Sequence, residues 1–280
     1  MRSSLTACER VLLMVCLGLL GLALFGPEAS QPLRYHEFAD RRNFFGLPFA
    51  MDVLSNAGFL VVGLAGVVCL VAYPRRALTN VQRAMSILFI AGLVFTTFAS
   101  AWYHLHPDDF GLAIDRSGMA IAFAGLLGLA AAGRVSERAG AALGLAVLLA
   151  APLAIKYWMA TGNVLPWGVL QFGGMGLILW ASLLRPRSKA LDVRWSLVIL
   201  AYAAAKLLEL NDEAVYQLTG HFVSGHTLKH VFAALAGCPV VFALGALRNS
   251  RQNAASKARA IDRADREAGI VRASSERSPV

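Results

Sequence analysis

The chain has 280 residues, of which 57% are hydrophobic and 15% charged, and its mean hydropathy is +0.58. Soluble domains run about 45–50% apolar and about 25% charged, so this balance excludes an ordinary soluble domain, a disordered chain, a disulfide scaffold and a coiled-coil or collagenous rod. It leaves an all-α polytopic membrane bundle, because every span in a bilayer has to satisfy its own backbone polar groups. The net charge of +9 is then read as a topology signal, with basic residues gathered on the cytoplasmic side. No nucleic-acid partner is expected of a chain built from apolar runs. Cys8, Cys16, Cys69 and Cys238 lie in or beside those runs without paired spacing, and are read as small hydrophobes.

In chain order, the first apolar run covers residues 11–26, after Arg2 and Arg10. It is short enough for a signal peptide, but Phe25-Gly26-Pro27-Glu28-Ala29 makes a poor cleavage site, which favours a retained helix. Residues 1–34 are therefore taken as an N-terminal hydrophobic helix or signal segment with its linker. A polar stretch with mixed charges follows, from 31 to 51. Seven further apolar runs lie at 52–73, 84–106, 110–132, 139–159, 165–184, 194–212 and 226–247, each near the roughly 20 residues that a span needs. Breaks at Pro74-Arg75-Arg76, Pro107-Asp108-Asp109 and Arg185-Pro186-Arg187 separate three pairs of them, proline ending a helix by steric clash and a missing N–H. The expected architecture is a seven-helix membrane domain over 35–247, preceded by one extra helix and followed by a polar cytoplasmic tail over 248–280.

With the N-terminus inside and eight spans, nineteen of the 26 basic residues fall in inside segments. Only Arg34, Arg41, Arg42 and Lys156 fall outside, and Arg116, Lys206 and Lys229 lie within spans. This asymmetry orients the core with its N-terminus outside and its tail in the cytoplasm, in the cell (inner) membrane. The same topology puts His36, His104, His106, His221, His226 and His230 all on the outer side.

The residues with chemistry cluster there. His226 and His230 are i, i+4, so both imidazoles project from one helix face at a spacing that suits two ligands of one metal ion. Ser100 and His104 repeat the spacing near the outer end of another helix. Asp115 is a carboxylate inside an apolar run, a costly placement that marks a polar cavity or a partner. Pro107-Asp108-Asp109 makes the helices carrying His104 and Asp115 antiparallel neighbours, and at about 1.5 Å per residue both sit roughly 6–10 Å from the turn. Three neutral imidazoles with a fourth position open is the arrangement of a catalytic rather than a structural zinc site. The bland readings are interfacial histidines, a helix-packing serine, and Asp115 paired with Arg116.

Taken in order, Ser100-x3-His104, Asp115 and His226-x3-His230 resemble the five-residue signature of the alkaline ceramidase family, part of a seven-helix membrane hydrolase superfamily that includes adiponectin-type receptors. The resemblance covers about 35–250, and its style is that of bacterial members. It takes in Asp52-Val53-Leu54-Ser55-Asn56 at the opening of the first core helix and the stretch from Lys206 to Asp212. It implies zinc held by His104, His226 and His230, catalytic support from Ser100 and Asp115, and hydrolysis of the amide of a ceramide-like N-acyl lipid. The substrate, a membrane lipid, would enter between helices. Eukaryotic members bind calcium before the first core helix. Here Glu37, Asp40, Asn43 and Asp52 are oxygen ligands in principle, but the spacing differs and Arg41 and Arg42 oppose a Ca2+ ion.

Other polar residues have plainer readings. Lys206 and Glu209 are expected as an intramembrane ion pair, and Lys229 and Arg116 as neutralising or snorkelling cations. Trp102, Tyr103, Tyr157, Trp158, Trp167 and Tyr216 are read as an aromatic belt without catalytic role. A different reading of the whole is a non-catalytic receptor-like or lipid-binding protein with a structural zinc site. A transporter is disfavoured because the inner halves of the helices are almost purely apolar. The sequence does not fix the oligomeric state.

Overall fold

A computed structural model describes residues 4–72, 78–187 and 191–246. The polar tail over 248–280, the break at Pro74-Arg75-Arg76 and Lys189 lie outside the described residues. Among those described, the structure is all-α, with only isolated bridges at Ser30–Asn163 and Phe44–Leu47. Six helical spans are long and apolar enough to cross a membrane, which makes the chain a polytopic helical bundle.

Helix α1 is Ala7–Phe25, opened by a reciprocal capping box in which Thr6 Oγ1 accepts from Glu9 N and Glu9 Oε2 accepts from Thr6 N. The second span, Ala50–Val71, has a break at Asn56 between α2, Ala50–Ser55, and α3, Ala57–Val71. Helices α4, Asn80–Leu105, α5, Asp109–Arg134, and α6, Glu137–Thr161, follow as three long antiparallel rods. Their first turns are capped by the side chains of Thr79, Asp108 and Ser136, each accepting a backbone N–H. The run at 165–184 is one helical rod in three parts: α7, Leu165–Gly168, a π-turn over Val169–Gly173, and α8, Gly174–Leu183. Helix α9 is Trp195–Leu210, and at 16 residues it is shorter than a standard span. A short α10, Asp212–Leu218, precedes α11, Gly225–Leu235, which begins the last span, Gly225–Ala246.

Helix α5 is the axis of the bundle and is buried along most of its length. Small residues let its neighbours approach. A Cβ added at Gly125 would collide with the Phe89 backbone, and one at Gly92 with the Ala122 backbone. Gly118 meets the Thr96 backbone in the same way, so the α4–α5 contact is backbone on backbone along about two turns. The close approach fixes the register of the two helices, and with it the relative depth of His104 and Asp115.

The extra helix is anchored at both ends. At its start, Arg138 Nη2 lies 2.8 Å from Glu9 Oε2, and Ser136 Oγ donates to Glu9 Oε1 at 2.5 Å. Beyond its end, Ala29 N donates to Asn163 Oδ1 and Val164 N donates to Ala29 O. Between these ties α1 packs on α7 and the π-turn.

Candidate metal centre

All six histidines sit at the end of the bundle where α4 finishes and α5 and α11 begin. Three of them converge. His104 from the last turn of α4 and His226 and His230 from α11 are buried, and each offers a ring nitrogen within 4.8 Å of the other two. His104 Nε2 and His230 Nε2 are 3.2 Å apart. The i, i+4 spacing on α11 pairs His226 with His230 as expected from the sequence, and the packing of α11 on α2 and α3, with α3 on α4, brings His104 to them.

The surrounding hydrogen bonds set the histidines' chemistry. Ser55 Oγ donates to Asp52 O at 3.0 Å, which uses its one proton. The same oxygen lies 2.8 Å from His230 Nδ1 and must therefore accept from it. His230 is thus held as the Nδ1–H tautomer, with the Nε2 lone pair directed into the cluster, the form that a metal ligand requires. His226 is positioned through its backbone: Asp212 Oδ1 accepts from His226 N at 2.7 Å, while Asp212 Oδ2 accepts from Ala39 N at 3.0 Å. Ser224 caps α11 through Thr227 N, and Thr227 Oγ1 donates to Asp52 Oδ1 at 2.6 Å. Phe38 covers the cluster, with ring centroids 4.7 Å from His104 and 4.6 Å from His226. His104 Nδ1 is buried and has no partner. Each of the three imidazoles offers a nitrogen to the same point, so the group is able to hold a metal ion.

One contact competes with that role. Lys229 Nζ lies 2.7 Å from His226 Nε2, donating to the lone pair that an ion would need. It also lies 3.4 Å from Glu209 Oε1, whose other oxygen accepts from Lys206 Nζ at 2.6 Å. The expected Lys206–Glu209 pair is present, and Lys229 joins it from the neighbouring helix. Glu209 is the alternative seat for the Lys229 ammonium.

Ser100 and Asp115 are both buried. Both line a cavity of about 620 Å³ together with His226 and His230. The cavity continues along apolar residues to Phe89 and Leu126. Leu126 is eleven residues along α5 from Asp115, about 16 Å at 1.5 Å per residue. It also reaches Gly168 and Phe172. Phe172 is 62% exposed, and a Cβ added at Gly168 would meet nothing within 4 Å, so the cavity opens on the flank of the bundle beside α7 and the π-turn.

Other expected residues stand elsewhere. His106 ends α4 and stacks on Trp102 at 4.9 Å, turned away from the cluster. His36 bridges Tyr103 Oη and Asp109 Oδ1 at 2.9 and 3.2 Å, and His221 faces Gln217. The oxygens considered for calcium each have their own partner. Arg42 makes a two-point ion pair with Asp40, and Asp40's hydrogen bonds hold the Arg42 guanidinium above its usual pKa. Glu37 meets Arg34 and Arg41, Asn43 Oδ1 accepts from Gly46 N, and Asp52 holds Thr227. Asp115 forms no ion pair with Arg116. The aromatic-belt reading is corrected for three residues: Tyr103, Trp158 and Trp167 are buried, whereas Trp102 and Tyr157 are exposed. Trp158 and Trp167 face inward because both pack on the Arg116 guanidinium. Sequence reasoning gave Ser55 and Phe38 no role at the cluster; the polar face Asp52, Ser55, Asn56 at the head of an apolar run was the available signal for Ser55.

Fold and site together define a membrane-embedded helical bundle with a buried three-histidine centre able to hold a metal ion at the polar end of an apolar cavity. No protein-family model matches the chain, and no curated protein matches it.

Proposed function

We propose that this protein is a zinc-dependent hydrolase that cleaves the amide bond of a ceramide-like N-acyl lipid, releasing a fatty acid and an amine. The observation that carries the reading is that the three-histidine group, Asp115 and Ser100 gather at the polar end of one apolar cavity that opens on the bundle's flank. An acyl chain fits the apolar part, and its amide is then brought to the polar end. The resemblance to alkaline ceramidases points the same way, and the charge asymmetry supports a placement in the cell membrane with the centre on the outer side and the tail in the cytoplasm.

His104, His226 and His230 would hold the zinc, with Ser55 fixing the His230 ring. Zinc, when bound, supplies Lewis acidity that polarises a carbonyl and acidifies water. Asp115 takes the proton of the attacking water and delivers it to the leaving nitrogen, the general-base and general-acid halves of one cycle. Ser100 donates a hydrogen bond to the carbonyl oxygen as negative charge develops on it. Phe38 keeps bulk water off one side of the cluster and strengthens these interactions.

The test is hydrolysis of ceramide and a panel of N-acyl amides by purified, zinc-loaded protein, with fatty-acid release followed by mass spectrometry. Release that stops with a chelator and in His226→Ala is expected. Zinc-loaded wild-type protein that cleaves no N-acyl lipid overturns the proposal, and full activity in His226→Ala overturns the ligand assignment.

A further inference from the structure

Arg116 is 3% exposed and forms no ion pair among the described residues, whereas Arg42, Arg138, Lys206 and Lys229 each meet a carboxylate. Its guanidinium lies 4.0 Å from the Trp158 ring centroid, 5.7 Å from that of Trp167 and 5.8 Å from that of Tyr35. Nη2 donates to Gln31 Oε1 at 2.7 Å, while Nη1 is buried and has no partner. The aromatic rings attract the cation and fix its plane, but they do not cancel its charge. A buried charge without a counter-ion is strongly unfavourable. Arg116 also lines the cavity that His226 and His230 line. The cavity wall there includes α7, the π-turn, α9 and the segment around Tyr35, and α11 carries the histidines on another side. Burial pushes the Tyr35 phenol pKa up, so it stays a neutral donor beside the guanidinium.

We propose that Arg116 binds a carboxylate on the polar end of the amphiphile in this cavity, so that the substrate is an N-acyl amide whose amine half carries an acid group. This rests on the hydrolase reading for the amide, and on the Arg116 geometry alone for the anion. One unpaired guanidinium matches one negative charge, and its free Nη1 gives a charge-assisted hydrogen bond to a carboxylate oxygen. With the acyl chain in the apolar channel and the amide near the histidines, the amine half extends to the remaining polar wall, where Arg116 stands. A released fatty acid carries a carboxylate too, but that group forms at the amide carbon, beside the histidines.

The experiment measures binding to full-length protein in detergent of three amphiphiles with one chain length: N-palmitoylglycine, neutral N-palmitoylethanolamine and palmitate. Wild-type protein is expected to bind N-palmitoylglycine about tenfold or more tighter than the neutral amide, a charge-assisted hydrogen bond contributing about 1.5–3 kcal/mol. Arg116→Gln removes that preference and leaves binding of the neutral amide unchanged, which also shows that the variant is folded, and Arg116→Lys keeps part of it. Equal binding of the two amides by wild type, or a preference that survives in Arg116→Gln, overturns the proposal. An Arg116-dependent gain for palmitate alone overturns the substrate assignment and makes the site one for product. Ceramide cleavage without any carboxylate preference removes this inference and keeps the hydrolase. A carboxylate preference in a protein that cleaves nothing keeps the anion site and removes the hydrolase.

Discussion

Replacing Ser55 with alanine separates a histidine that is merely buried from one that is held ready for a metal. The Ser55 hydroxyl proton is committed to Asp52 O at 3.0 Å, so its oxygen accepts from His230 Nδ1–H at 2.8 Å. In Ser55→Ala the metal-binding tautomer of His230 leaves that N–H buried without a partner, a penalty of about 1–3 kcal/mol. The metal-free protein escapes the penalty if His230 moves its proton to Nε2, because His230 lines the cavity and solvent there can accept it. The whole difference therefore falls on metal affinity, a loss of about 5- to 150-fold, in line with the 10- to 100-fold typical of partners behind a metal ligand. Competition for zinc against a chromophoric chelator, in detergent and at fixed pH, measures it directly. In a His230→Ala background the same substitution should add nothing. Unchanged zinc affinity in Ser55→Ala, or an equal loss in both backgrounds, refutes the tautomer argument.

Lys229→Met removes the ammonium that occupies the His226 lone pair at 2.7 Å; zinc affinity should rise severalfold in the same competition assay, and a fall would show that Lys229 supports the centre. Gly168→Phe places a ring where a Cβ meets open space at the cavity's flank. Because it also replaces a helical glycine, thermal stability should hold or rise, by up to about 1 kcal/mol, while turnover of long-chain amides drops at least tenfold; unchanged turnover would place substrate access elsewhere. Gly125→Val forces a branched side chain into the Phe89 backbone and should destabilise the bundle by about 3 kcal/mol or more, read as a lower melting temperature in detergent, whereas unchanged melting would remove the close α4–α5 contact from the fold's essentials.

The bundle and its three histidines were legible because both rest on local spacing. Apolar runs of span length gave the helices, i, i+4 spacing gave the Ser100–His104 and His226–His230 pairs, and the shared outer side given by the topology put the three rings at one end of the bundle. The Lys206–Glu209 pair was legible for the same reason. What escaped depends on partners far apart in the chain. Ser55 meets His230 only because α2 breaks at Asn56 and lies against α11. Phe38 covers the histidines from a segment with no periodicity to read. Tyr103, Trp158 and Trp167 were placed at the lipid surface because aromatic residues near helix ends usually belong there, but two of them are drawn inward by Arg116. The π-turn at Val169–Gly173 also has no local signature, although it divides what the sequence presents as one uniform apolar run.

The double anchoring of α1 makes the flanking opening asymmetric. One jamb, α7 with the π-turn, is braced from behind by a helix tied to Arg138 at one end and Asn163 at the other. The opposite jamb, α9, is shorter and packs mainly on α11, to which Glu209 also ties it through Lys229. On the proposed function, widening for a bulky lipid is expected at α9, and moving α9 would shift Glu209 relative to the Lys229 ammonium. If a lipid enters by this flank, as the proposed function requires, the doorway and the lysine that blocks His226 form one mechanical linkage through Glu209.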